Sequence, residues 1–464
     1  MTDLERSLAK DSGHLKSLSS PPNGRADASA KIVWTLALIL VAVMTGVLAV
    51  QARHKILVNM NKQKHIDAFD SYMKVVPLYI HQHKPYRSDR FPLPPLAMLF
   101  VAPFTLLSRP DAQMAWVLCK PFMFVPIFLM LLSMVRRGGG PIPPPWAIGL
   151  ILIAWFFPVI GDIQEGQMNL LMLLPLTYAL WLAQIETPKT DCAAGIMLAL
   201  AICIKVTPLA FVAYFVYRRR WTIVASGILG IGFWLFCVPA AFFGWQQNLV
   251  WLHQWAGLMI LPYVTHDAIK FSNGESIPEF ILRFTAHLPA WKSTVHGRMV
   301  NHYVNVMNLP VKVAHTIGRG ILVLIALGGM VWAQRRLPSF KSRRYLLEIA
   351  AVSMFMLWAS ERTWVPHYVT LIFALFAAGM LAVDTAATAL TRRAAGVALV
   401  LCAFLMIWTS DAAKLFGPNG RHYADCADLV LICSLLLAMV IVVGRFNNGQ
   451  DFEPVKAEAV IRSQ

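Results

Sequence analysis

Apolar runs separated by short polar connections recur along the whole chain. Residues 32–50 carry no charge, and further apolar runs cover 96–107, 112–135, 147–160, 169–183, 192–217, 221–244, 313–333, 345–358, 365–383, 394–409 and 427–443. At 1.5 Å of rise per residue, about 20 apolar residues cross the hydrocarbon layer of a bilayer, and a helix satisfies its own backbone there. The pattern predicts an all-α, polytopic membrane bundle with about twelve crossings. Its shorter runs are expected to be tilted, re-entrant or shielded by neighbours. Residues 1–30 are polar and Ser-rich and read as a disordered cytoplasmic tail, 31–445 as a single transmembrane domain, and 446–464 as a second cytoplasmic tail. Val-Gln-Ala before Arg53 faintly resembles a signal-peptidase site, but the long polar lead and full apolar core favour an uncleaved anchor.

Composition agrees with that class. Hydrophobic residues make up 57% of the 464 and charged residues 14%, which excludes an ordinary soluble domain. A net charge of +17 would suit nucleic acid, but Lys and Arg cluster between apolar runs, as in loops facing anionic lipid. Membrane lipids, and no nucleic acid, are the expected partners. The seven cysteines occur singly, so neither a disulfide framework nor a zinc site is predicted.

The basic clusters orient the chain. Arg218 to Arg220, the group Arg335, Arg336, Lys341, Arg343 and Arg344, and the pair Arg392 and Arg393 mark the cytoplasmic side. Residues 53–95, 245–310, 360–364 and 411–425 then face outward, which predicts a plasma-membrane protein with its polar loops outside or in the periplasm. Arg136 and Arg137 fall outside on the same count, against the rule; a run at 96–107 that does not fully cross is one resolution. The outer segment from Trp245 includes WQQNLVWLHQWAGL, suited to an interfacial helix and equally to a lid over a lipid-linked substrate.

Polar groups at membrane depth are costly unless paired or functional. Asp67 and Asp70, three residues apart, share a helix face in the first outer loop if that loop is helical. Lys205 interrupts a 26-residue apolar run, with Pro208 three residues on; it suits either a structural pairing or a cation facing a phosphate. GDIQEGQMN, with Gln167 and Asn169, is a polar turn or a ligand-bonding segment. SERTWVPHYV places Glu361, Trp364 and His367 at the outer mouth of two spans. Together they offer a base, a cation and an imidazole for one outer cavity. A transporter or flippase of a lipid-linked sugar is the alternative, but it predicts polar groups spread over both faces.

Four blocks make the chain resemble glycosyltransferase family 87, integral-membrane enzymes of the GT-C superfamily. They are Asp67 with Tyr72, KPY ending at Tyr86, and FPLPPLAMLFVAPF; EGQMNLLMLLPL from Glu165; AAGIMLALAICIKVTPLAFVAYFVYRRRW from Ala193; and SNGESIPEFILRF with SERTWVPHYVTL. The family commonly has an aromatic residue directly after its loop Asp, where this chain has Ala68, and two adjacent His where it has His367 and Tyr368. The resemblance implies inverting transfer of a sugar, mannose or similar, from a polyprenyl-phosphate donor to a lipid or glycan acceptor on the outer face. It implies Asp67 or Asp70 as general base, Lys205 and His367 at the donor phosphate, and Tyr72, Tyr86, Gln167, Asn169, Glu361 and Trp364 as substrate contacts. No cofactor is expected; two close carboxylates could bind a divalent metal, but none is predicted to be obligatory.

Overall fold

Nearly every apolar run becomes a helix, and the helices end where the polar connections begin. The computed structural model describes residues 42–59, 66–82, 86, 91–262, 274–295, 298–334, 337, 339–361, 363–417 and 419–447. Expectations placed on 1–30, 32–41, Lys84, Arg335, Arg336, Arg362 and 448–464 lie outside these residues. After a first helix at 42–58 come Ala68–Gln82, Arg109–Cys119, Pro121–Arg137, Pro145–Gln164, Asn169–Ala183, Pro188–Ile204, Leu209–Tyr217, Trp221–Gly232, Val311–Ala333, Arg343–Ala359, Ile372–Val383, Ala389–Ile407 and Leu429–Asn447. Among the described residues, seven helices are long and apolar enough to cross a membrane. The chain is thus a multi-pass helical membrane protein; that measure does not confirm the expected twelve crossings, several of the described helices being shorter. One small addition is an antiparallel hairpin, Trp291–Val295 with Arg298–His302, in which Trp291 pairs with His302.

Local chemistry sets the helix starts. Pro110, Pro121, Pro145 and Pro188 stand in first turns, where a missing N–H costs nothing. Side chains of Ser108, Thr187, Ser342 and Thr388 accept from backbone N–H groups of their first turns, each cap contributing about 1 kcal/mol. Pro188–Ile204 packs closely against Trp221–Gly232 because position 195 is glycine: a Cβ there would lie 2.0 Å from Ser226 Oγ and 2.4 Å from the Ile223 carbonyl oxygen. Val365–Val383 is the most buried span, whereas Val311–Ala333 lies at the edge of the bundle.

One expectation about the path of the chain needs correction, and one alternative left open is decided. The run 192–217 is two segments: the helix stops at Ile204, Lys205 is extended (φ −153°, ψ 128°), and a new helix starts at Leu209. That second arm runs back, since Arg220 beyond its end pairs with Asp191 in the first turn of Pro188–Ile204. The run 96–107 does not cross either. It forms Leu96–Val101 and a 3-10 turn, Ala102–Leu106; Phe104 packs edge-on against Phe69, and Arg109 just beyond bonds Asp70. With both changes Arg136 and Arg137 fall at the same end as the other basic clusters. Arg343 donates to the Gly139 carbonyl at 3.0 and 2.8 Å and pairs with Asp384, and Gln184 donates to the Met134 carbonyl at 3.0 Å.

Candidate functional site

Asp67 lies just before the helix Ala68–Gln82 and is 7% exposed. Its Oδ1 accepts from the Asp70 N–H at 2.8 Å, and its Oδ2 accepts from Gln113 Nε2 at 3.1 Å and Lys55 Nζ at 3.4 Å. Burial raises this carboxyl above its ordinary pKa, while the Asp70 N–H and Lys55 oppose the rise. Asp70, one turn on, has other partners: Arg109 Nε at 3.1 Å, Lys74 Nζ at 2.8 Å and the Ile66 N–H at 3.3 Å. Burial raises its pKa too, but Lys74 and Arg109 outweigh that and hold it below the ordinary value.

The turn after Pro145–Gln164 closes on this loop. The Glu165 carbonyl accepts from the Ala68 N–H at 3.0 Å, and Lys55 donates to the Gln164 carbonyl at 3.0 Å. Gly166 has φ +62°, and a Cβ on it would lie 2.7 Å from the Phe69 backbone and 3.0 Å from Asp67 Oδ1. Only glycine combines that left-handed backbone with so close an approach. On the turn's other side Asn169 Oδ1 accepts from Lys205 Nζ at 2.5 Å. Beneath lies a fully buried ion pair, Lys120 Nζ to Asp162 Oδ2 at 2.6 Å.

On the segment after Arg343–Ala359, Glu361 Oε1 takes Arg319 Nη2 at 2.8 Å and His315 Nε2 at 3.0 Å. The His367 Nδ1 lies 3.0 Å from the Trp364 N–H and 3.3 Å from the Trp364 carbonyl oxygen; in the tautomer in which Nδ1 accepts from that N–H, Nε2 carries the proton and can donate.

These pieces line one cavity of about 790 Å³. Asp67, Tyr72, Gln167, Lys205, Glu361, Trp364 and His367 contribute its polar and aromatic lining, with Ser71, Thr207 and Ser360 beside them. Leu93, Val206, Leu209, Ala210, Met259, Ile260 and Met356 supply an apolar wall. Asn169 reaches the cavity through Lys205, whereas Asp70 and Tyr86 are not among the residues lining it. Tyr86 is buried, stacked on Tyr79 at 5.4 Å, with its N–H on Gln254 Oε1 at 2.8 Å. The helix Trp245–Met259 has both properties expected of that segment: Trp245 and Val250 are exposed, while Trp255 and Met259 turn to the cavity.

Lys55, Gln113, Lys120 and Asp162 escaped sequence reasoning. Lys120 shares the signal that singled out Lys205, a charge inside an apolar stretch, and could have been found by it. Gln113 and Lys55 carried no such mark. Among the described residues, no group of three or more His, Cys, Asp or Glu stands where it could hold a metal ion.

The sequence pattern of glycosyltransferase family 87 matches residues 91–361, more than half of the chain, beginning after Asp67 and ending before His367. A polyprenol-phosphate-mannose-dependent alpha-(1-2)-phosphatidylinositol mannoside mannosyltransferase of Mycobacterium tuberculosis is 23% identical over 310 residues, covering 63% of this chain and 62% of the relative. Its namesake from Mycolicibacterium smegmatis is 29% identical over 140 residues, covering 28% and 31%. The matches therefore span less than two thirds of the length of either relative. ArnT from Cupriavidus metallidurans, solved in the apo state, aligns over 90% of this chain and 78% of its own at 14% identity and a TM-score of 0.37. With more than half of its length matching that pattern, the chain belongs to glycosyltransferase family 87.

Proposed function

We propose that the chain transfers a sugar, mannose or similar, from a polyprenyl-phosphate donor to a lipid or glycan acceptor on the outer face of the membrane, with inversion at the anomeric carbon. One observation carries this: a single cavity is lined by a buried carboxylate, a lysine and an imidazole together with apolar side chains. The acceptor hydroxyl oxygen attacks the anomeric carbon as its bond to the phosphate oxygen breaks, and Asp67 takes the hydroxyl proton. Its raised pKa makes it a better base than an exposed carboxylate. The bonding pair leaves with the polyprenyl phosphate, whose charge Lys205 and His367 Nε2–H stabilise. Leu209, Met259 and Met356 accommodate the start of the prenyl chain, while Gln167, Glu361 and Trp364 contact the sugar.

The test is transfer by purified protein in liposomes from a panel of polyprenyl-phosphate sugars. The relatives' names make polyprenol-phosphate mannose the first donor to try and a phosphatidylinositol mannoside the first acceptor. Transfer by the wild type that Asp67→Asn abolishes supports the proposal. A protein that moves the lipid-linked sugar across the bilayer without transferring it is a flippase, and the proposal falls.

A further inference from the structure

Lys120 sits between the helices Arg109–Cys119 and Pro121–Arg137 with its side chain wholly buried, touching neither the cavity nor lipid. Removing an ammonium from water is expensive unless each of its three protons finds a partner. This ammonium has three. It donates to Asp162 Oδ2 at 2.6 Å and to the Gln167 carbonyl at 2.6 Å, and it lies 4.5 Å from the centre of the Trp116 ring.

Each partner leads to a different part of the cavity. The other oxygen of Asp162 accepts from the Asn169 N–H at 3.0 Å, and the Asn169 side chain receives Lys205 Nζ at 2.5 Å. Gln167 itself lines the cavity. Trp116 stacks on Phe69 at 4.9 Å and 7°, two residues from Asp67. The nitrogen is thus tied to the segment that carries the cation and to the one that carries the base.

We propose that Lys120 and Asp162 are positioning residues, a buried ion pair that holds the 161–169 turn so that Asn169 presents Lys205 to the leaving phosphate. This rests on the sugar-transfer reading above. Because a displaced Lys205 would matter most where the phosphate gains charge, the pair should affect kcat more than donor KM.

The test is the charge-neutral double variant Lys120→Met/Asp162→Asn, which avoids stranding one buried charge and leaves an amide oxygen for the Asn169 N–H. Transfer is measured in liposomes, in the wild-type and Lys205→Gln backgrounds, with thermal melting as the check on folding. The expected result is a folded protein with donor KM within about 3-fold of wild type and kcat lower by about 10²-fold, the scale for a misplacement transmitted to the reacting centre. In the Lys205→Gln background the same double change should cost less than about 2-fold more, because both perturbations act through one side chain. Wild-type kcat in the folded double variant overturns the proposal, and so does an equal loss in both backgrounds, which marks a merely structural pair. Should the double variant not fold, Asp162→Glu, which keeps the charge but lengthens the arm holding Asn169, is judged by the same criteria. A wild type that transfers no sugar from any donor of the panel overturns the transfer reading, and this one with it; an active wild type whose variants match it overturns this one alone.

Discussion

Asp67 and Asp70 lie one helical turn apart, yet replacing each by Asn should produce opposite phenotypes. In Asp67→Asn one carboxylate oxygen becomes an NH₂. If the amide oxygen keeps the Asp70 N–H, that NH₂ faces Gln113 Nε2 and Lys55 Nζ, now 3.1 and 3.4 Å from Oδ2. Such a mismatch costs roughly 1–3 kcal/mol of stability. Loss of a general base costs about 10²- to 10⁴-fold in turnover, or roughly 2.7–5.4 kcal/mol of barrier. In Asp70→Asn a 1%-exposed carboxylate loses its charge to Arg109 and Lys74, a loss of roughly 2–4 kcal/mol since both cations keep some solvent, while the cavity is untouched. The assay is the initial rate of sugar transfer in liposomes, normalised to the folded fraction from thermal melts. Asp67→Asn should be folded and nearly inert; Asp70→Asn should melt earlier but turn over within several-fold of wild type. The pH profile adds a check. The raised pKa of Asp67 puts the acid limb of kcat/KM above pH 3.8, and by linkage the same group contributes less stability as pH rises through that limb. Asp70 behaves oppositely: its stabilisation is present above pH 3.8 and lost as pH falls through its lowered pKa. A folded Asp70→Asn that loses 10²-fold or more, beside an Asp67→Asn that stays within about 10-fold, would refute the assignment of the base.

Gly166→Ala should lower the melting temperature by an amount equivalent to about 1–3 kcal/mol, from left-handed strain plus the clash with Phe69, and should depress transfer as well; an unchanged melt is the contrary result. Glu279, 5% exposed on the helix Ile277–Thr285, is pushed up to about 7 by burial despite Arg283. The folded chain therefore retains a proton that the unfolded chain loses between pH 4.5 and about 7, and stability falls as pH rises through that window. Glu279→Gln should gain up to about 3 kcal/mol over wild type at pH about 8 relative to pH about 5, read as a pH-dependent difference in melting temperature. In a cysteine-depleted background, Ile142→Cys and Lys341→Cys should react with an impermeant thiol reagent from the same side of the membrane and Leu415→Cys from the other; labelling of Ile142→Cys with Leu415→Cys would contradict the corrected path.

The apolar pattern carried most of the architecture because burial in lipid leaves the backbone little choice but helix. It failed where length misleads: 26 apolar residues at 192–217 read as one span, although Lys205 and Pro208 mark the break between two antiparallel arms. Asp67 stood out in the first outer loop, Lys205 inside an apolar run, and Gln167, Glu361, Trp364 and His367 at span ends, and they line one cavity. What separated Asp67 from Asp70 was invisible, because the decision rests on Arg109, 39 residues along, and on Gln113, 46 residues along. Lys120 and Asp162 were hidden for the same reason, being 42 residues apart.

The cavity's combination of charged and apolar lining also bears on how the protein is handled outside a cell. An alkyl glycoside detergent is itself a sugar joined to a hydrocarbon tail, and it can set its head near Gln167 and Trp364 and its tail along Leu209 and Met259. Extraction thus surrounds the protein with an excess of weak competitors shaped like its proposed donor. Rates in such micelles should fall as detergent monomer rises, whereas zwitterionic or polymer-bounded membranes, lacking a sugar head, should spare the cavity and report its true turnover.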